Sequence, residues 1–145
     1  MARGNFFGYD IYMICGHTLR NVGKRGQTIG FAVDLRIANY RGYLLSQIED
    51  VRICVDGEWM DRDRLRFAIN GKQYSLSEME TVTDNRWGVL DRATLTCLLP
   101  GGLRPGSHEV TVEEHIRASY VPMTAIAYAT RTLALDQAGC STHAP

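Results

Sequence analysis

The chain has no excess of charge of either sign: sixteen lysines and arginines stand against sixteen aspartates and glutamates in 145 residues. A surface without a net field does not concentrate polyanions, so nucleic acid and anionic membranes are not expected as partners. Long apolar runs are missing too. The opening stretch MARGNFFGYDIYMICG is interrupted by Gly8 and Asp10 and carries a single arginine. It suits neither a secretory signal nor a spanning helix, and a cytoplasmic location is expected. Cysteine is sparse and scattered. Cys15, Cys54, Cys97 and Cys140 show no CxxC spacing, so reduced thiols are expected in place of a zinc site or a redox dithiol. Cys97 shares the parity of Leu95 and Leu99 and reads as a core residue. Clustered histidines are lacking as well: His17, His108, His115 and His143 are spread along the chain, and His108 and His115 differ in parity. Residues of opposite parity on a strand leave opposite faces, so a cupin-like metal site is not expected in this chain. No internal repeat or low-complexity tract is present.

What the chain does have is alternation. From Thr28 to Asn39, Phe31, Val33, Leu35 and Ile37 fall on one side and Ala32, Asp34, Arg36 and Ala38 on the other, the period of a half-buried strand. The same holds for Val51, Ile53 and Val55, for Leu65, Phe67 and Ile69, for Ala93 to Leu99, and for His108, Val110 and Val112. Asp56-Gly57 and Asn70-Gly71 are hairpin dipeptides. Tyr9 to Cys15 suits a first strand, and Gly16 to Gln27, with His17, Arg20, Lys24 and Arg25, reads as a basic loop. Asp61 to Arg64 reads as a charged strand edge, Ser77 as the cap of one helical turn, and Thr83 to Gly88 as a polar loop carrying Trp87. Met123 to Leu135 reads as a strand buried on both faces. Strand signals recurring between turn signals indicate an all-β fold, an antiparallel β-sandwich of jelly-roll-like type. Residues 1–136 form the single domain of this reading, and 137–145 a tail that frays.

Catalytic patterns are weak. Asp61 and Asp63 would lie about 7 Å apart along a strand, within the range of an inverting glycosidase, but Arg62 and Arg64 interleave and neutralise them. Glu109 and Glu113 share a face at roughly 13 Å, too far to flank one bond. The turn Gly101-Gly102-Leu103-Arg104-Pro105-Gly106 lacks a Lys-Ser/Thr ending and leads into a strand, so it is no phosphate loop. No serine stands in a nucleophile-elbow context. The chain is expected to have no catalytic residue and no cofactor of its own.

Between the strands that end near Asn39 and begin near Val51, the connection is unusually rich in recognition side chains: Tyr40, Arg41, Tyr43 and Ser46. Tyr40-Arg41-Gly42, Ser46, Val55-Asp56-Gly57-Glu58, Asn70-Gly71-Lys72-Gln73-Tyr74, Glu78, Trp87 and Gly101-Gly102-Leu103 with His108 follow one another in an order that resembles the beta (small) subunit of bacterial C-glycoside deglycosidases. The resemblance runs from about Gly30 to about Tyr120.

That resemblance implies a heteromeric lyase-type enzyme. Its larger alpha subunit resembles barrel-type sugar isomerases and is expected to hold a divalent metal, manganese by expectation, and the catalytic base. The implied substrate is a 3-oxo C-glycoside of a flavonoid-type phenol. A ketone at sugar carbon 3 acidifies the proton on carbon 2, and elimination then breaks the carbon–carbon bond to the aglycone. The small subunit would dock beside the barrel loops and shape the aglycone side. Tyr40, Arg41, Tyr43 and Ser46 are the candidates for the interface or active-site rim. Arg41 suits a partner carboxylate; its local alternative is an ion pair with Glu49 or Asp50. Trp87, Tyr120 and His108 are candidates for aglycone contact, although Trp87 also reads as a plug on the sandwich end and His108 as a satisfied buried histidine. A stand-alone, lectin-like sandwich that stacks sugars on Trp59, Trp87 and tyrosines is the alternative function.

Overall fold

The computed structural model describes residues 2–3, 13–38, 41–117 and 124–136. The strands in chain order are β1 (Ala2–Arg3), β2 (Arg20–Lys24), β3 (Gln27–Leu35), β4 (Tyr43–Leu44), β5 (Ile48–Val55), β6 (Glu58–Trp59), β7 (Leu65–Ile69), β8 (Lys72–Ser75), β9 (Arg86–Trp87), β10 (Ala93–Leu98), β11 (Ser107–Arg117) and β12 (Thr124–Ala134). One sheet has the order β1-β12-β11-β5-β6 and the other β2-β3-β10-β7-β8, with the short β4–β9 pair apart from both. The chain is therefore an all-β sandwich. Its hairpins alternate between the sheets, β2–β3 and β7–β8 in one, β5–β6 and β11–β12 in the other, in keeping with the jelly-roll-like expectation. One pairing departs from the antiparallel rule: β1 runs parallel to β12, with Ala2 opposite Ala125.

The alternating residues meet in one core. Phe31, Val33 and Leu35 of β3 face Val51, Ile53 and Val55 of β5, together with Leu65, Phe67, Ile69, Leu95, Cys97, Val110 and Val112, all buried. Burial pushes the Cys97 thiol up to about 11, as befits a small apolar core residue. Phe67 is fully buried and meets the Trp87 ring edge-on at 5.0 Å; truncating such a residue to alanine costs about 3–5 kcal/mol.

Three hairpins turn through paired positive φ angles, at Arg25-Gly26, Asp56-Gly57 and Asn70-Gly71, the twist that joins right-handed strands. The first lies in the segment expected to be a basic loop, which instead contains β2. Arginine rarely adopts positive φ, so this turn carries no sequence signature. Asp61 to Arg64 is likewise no strand edge: Arg62–Arg64 form a 3-10 turn, and Arg62 pairs with Asp50 at 3.1 Å. The short helix Glu78–Thr81 is not capped by Ser77. Instead, Ser75 Oγ accepts the Glu78 N–H and Glu78 Oε1 accepts the Ser75 N–H. Nor is β12 buried on both faces. Thr130, Thr132 and Ala134 are exposed, and β1 lies beside it in the sheet, paired at Ala125 and Ile126. Of the proposed first strand, the described part contributes a single bridge, Ile14 to Leu35. The tail expected at 137–145 lies outside the described residues.

Candidate functional site

The candidate site is the end of the sandwich where the chain passes from β3 to β5. Gly42 makes this crossover possible. A Cβ there would stand 2.7 Å from the Trp87 carbonyl and 2.9 Å from Gly88 Cα, so only glycine lets the two backbones approach. Tyr43 then pairs with Trp87 and Leu44 with Arg86. Leu45 and Ser46 follow as a 3-10 turn (Leu45–Gln47) whose N–H groups reach the Asn85 and Val82 carbonyls at 3.1 Å each. The Gln47 side chain closes it by accepting the Leu44 N–H.

Asn85, unremarked in the sequence, is the hub of this corner. Besides its carbonyl contact to Leu45, its amide donates to the Ile69 carbonyl and the Tyr74 hydroxyl, while Oδ1 accepts from Asn70 and from the Arg86 N–H. A shallow groove of about 430 Å³ lies alongside, lined by Leu44, Asn70, Thr83, Asp84, Asn85 and Arg86.

The structure brings together Arg41, Tyr43, Ser46 and Trp87. Arg41 is exposed, with its guanidinium 5.2 Å from the Tyr43 ring centroid. Its local alternative does not form, because both carboxylates are engaged elsewhere. Asp50 is held by Arg62 and by its own neighbour's N–H. Glu49 accepts from Thr124 and Arg117, and the Thr124 hydroxyl, followed by the Arg117 guanidinium, keeps its carboxyl below the usual range despite desolvation. Thr124 and Arg117 flank residues 118–123, so Glu49 ties both stems of that connection to β5. Tyr43 and Trp87 are not surface platforms: they are 2% and 0% exposed. The Trp87 indole N–H donates to the Asp91 carbonyl, and its ring belongs to the core. Tyr40 and Tyr120 lie outside the described residues.

His108 is not part of this corner. It stands at the other end of β11, roughly 27 Å from Ile116 at the rise of an antiparallel strand. Nδ1 meets Asp56 Oδ2 at 2.6 Å and Nε2 meets the Arg104 carbonyl at 2.7 Å. Both partners are acceptors, so both bonds are made when the ring donates from both nitrogens, as an imidazolium does. Burial works against that charge, but the bonds to Arg104 and Asp56 raise the pKa above the ordinary value. In return, His108 and then the Glu109 N–H hold the Asp56 carboxyl low. The satisfied-histidine reading describes this geometry: His108 pins the Asp56 hairpin to the turn before β11 and leaves no ring nitrogen for a ligand. Trp59, the remaining platform of the lectin-like alternative, carries the Arg52 guanidinium 4.3 Å over its face. Among the described residues no group of three or more histidines, cysteines, aspartates or glutamates is placed to hold a metal ion. No helix among them is long and apolar enough to cross a membrane.

The family model described as C-glycoside deglycosidase beta subunit matches residues 9–120. The chain belongs to that family. It is 33% identical over 104 residues, 71% of each chain, to the C-glycoside deglycosidase beta subunit of Eubacterium cellulosolvens. To the one of Microbacterium trichothecenolyticum it is 31% identical over 128 residues, 86% of this chain and 88% of the relative. A relative from Microbacterium sp., named 3'-dehydrocarminate deglycosidase beta subunit, is 41% identical over 95 residues, 65% of this chain and 70% of the relative. As a deglycosidase beta subunit the chain has a partner alpha subunit, and in the crossover corner the exposed Arg41 guanidinium stands beside a hydrogen-bonded backbone.

Proposed function

We propose that this beta subunit is the non-catalytic half of a C-glycoside deglycosidase that releases its aglycone by elimination. A base removes the proton from carbon 2 of the 3-oxo sugar, and that electron pair forms the C1–C2 double bond. The bond from C1 to the aglycone carbon breaks, and the aglycone ring takes up a proton. The base and a divalent metal, manganese by expectation, belong in this reading to a barrel-type alpha subunit, where the metal would stabilise developing enolate charge. The sandwich docks through its crossover corner and closes the aglycone side against water.

The observation that supports this division is how the titratable groups of the described chain are used. His108, Asp56, Glu49 and Asp50 are each bonded within the fold, and the carboxyl of Glu114 is sealed in the core. Arg41, by contrast, is exposed on a connection whose backbone is held from several sides. The test is reconstitution. The purified beta subunit should fold and leave a 3-oxo C-glucoside intact, and cleavage should appear on addition of the alpha subunit. Turnover by the beta subunit alone, with no partner present, would overturn the assignment.

A further inference from the structure

The turn after Trp87 presents apolar side chains where turns ordinarily place polar ones. Leu90 is 81% exposed and Val89 40%, and together they form the tip. The tip is not loose. The Asp91 N–H donates to the Gly88 carbonyl at 3.0 Å, the Gly88 N–H to Asp91 Oδ2 at 3.1 Å, and the Trp87 indole to the Asp91 carbonyl at 3.1 Å. Because Trp87 is fully buried, the turn is fastened to the core of the sandwich. A rigid apolar projection loses little conformational freedom when it binds, which is what makes a side chain an effective anchor.

Cations outnumber acids around the tip. Arg41 and Arg92 are exposed, and so is Arg86, whose Nη2 donates to the Gly42 carbonyl at 3.3 Å. Gly42 in turn packs directly on Trp87 and Gly88. Asp91, the acid within the turn, is directed back at the Gly88 N–H; Asp84 lines the neighbouring groove with Arg86. The tip is thus an apolar knob flanked by guanidinium groups.

We infer that the Val89–Leu90 tip is the anchor by which this beta subunit seats in an apolar, acid-rimmed pocket of its alpha subunit. The inference rests on the subunit reading above and names the contact through which that docking is made. Leu90 fills the pocket, Val89 covers its wall, and Arg41 and Arg92 meet carboxylates on the rim, where opposite charges steer association more than they hold it.

The test titrates the alpha subunit expressed from the same source into the wild-type beta subunit, Leu90→Asp, Leu90→Ser, Arg92→Gln and, as a control at an exposed aromatic elsewhere, Trp59→Ser. Melting of each isolated variant is measured alongside. Leu90→Asp and Leu90→Ser should raise the dissociation constant by about 30-fold or more, the range of a buried anchor, while their melting stays near wild type. Arg92→Gln should slow association and flatten its salt dependence, and Trp59→Ser should bind as wild type does. Wild-type binding that both Leu90 variants leave within about threefold overturns the inference and spares the subunit reading. Wild type that binds no alpha subunit sinks the subunit reading and the inference with it. Sizing of the isolated chain closes the remaining route: a dimer that Leu90→Asp makes monomeric would assign the tip to a second copy and overturn the proposed occupant.

Discussion

Glu114 offers the sharpest test of the structure, because it is a carboxyl in a place built for apolar groups. It lies on the inner face of β11, fully buried, between Val51 of β5 and Ala127 of β12. Its Oε1 accepts the Ala38 N–H at 2.8 Å, and Oε2 has no partner among the described residues. Burial pushes its pKa up to about 8 against the opposing bond from Ala38. The native state therefore keeps a proton on Oε2 that the unfolded chain releases near the ordinary value of 4.5. A raised folded pKa means stability that is fully present below the unfolded pKa and is lost as pH rises toward the folded one. Each pH unit in that window removes up to about 1.4 kcal/mol, so from pH 5.5 to 7.5 the wild type should lose up to about 3 kcal/mol. Glu114→Gln keeps the acceptor for Ala38 and cannot ionise. Urea unfolding of both proteins at pH 5.5, 6.5 and 7.5 should show the wild-type advantage shrinking steadily, with the contribution of His108 cancelling in the difference. A constant difference across the three pH values would show that Glu114 is not held protonated in the core, and the reasoning would fail.

Arg41→Ala should weaken assembly with the alpha subunit by about tenfold to a hundredfold while shifting the melting of the isolated chain by less than about 4 °C, since Arg41 is exposed and has no ion pair among the described residues. Unchanged affinity would remove it from the interface. Asp56→Asn should lower the NMR-titrated pKa of His108, because the carboxylate that helps hold the imidazolium is gone. With it should go part of the stability that is present below the ordinary histidine value of 6.5 and lost as pH rises through the raised one; an unmoved titration refutes the pairing. On β12, the Leu135 N–H bonds to Gly106 across the β11 ladder and the Asp136 N–H turns outward to Leu19, so Thr132 points its N–H away from β11 and Leu133 points its own inward. Thr132→Pro should retain the far-ultraviolet β signal and Leu133→Pro should lose it, and equal effects would mean that the register is wrong.

The strands were legible because burying one face requires period two, and Phe31-Val33-Leu35, Val51-Ile53-Val55 and Leu65-Phe67-Ile69 carry it without interruption. Asp56-Gly57 and Asn70-Gly71 were legible because few residue pairs tolerate two positive φ angles in succession. The hairpin at Arg25-Gly26 was not, since Arg25 takes the same conformation without the composition that announces it. The 3-10 turn at Arg62–Arg64 was hidden for a related reason: it is set by Arg62 reaching Asp50 on another strand, and local pattern holds no record of that partner.

The crossover shows the same division within one segment. Its order of residues, Tyr40-Arg41-Gly42 to Ser46, opened the longer ordered set, running on to His108, that resembles the family. Whether each side chain would face solvent was not contained in that order. Trp87 and Tyr43 have the chemistry of a ligand platform, and only the pairing of β4 with β9 turns them into core. Arg41 had two carboxylates within five to ten residues, and only the folded arrangement commits Glu49 to Arg117 and Thr124 and Asp50 to Arg62. Sequence by itself determined the sandwich, because hydrophobic periodicity and turn stereochemistry are local. The site was decided by tertiary structure, because exposure and the competition of several donors for one carboxylate depend on residues that meet only after the two sheets have closed.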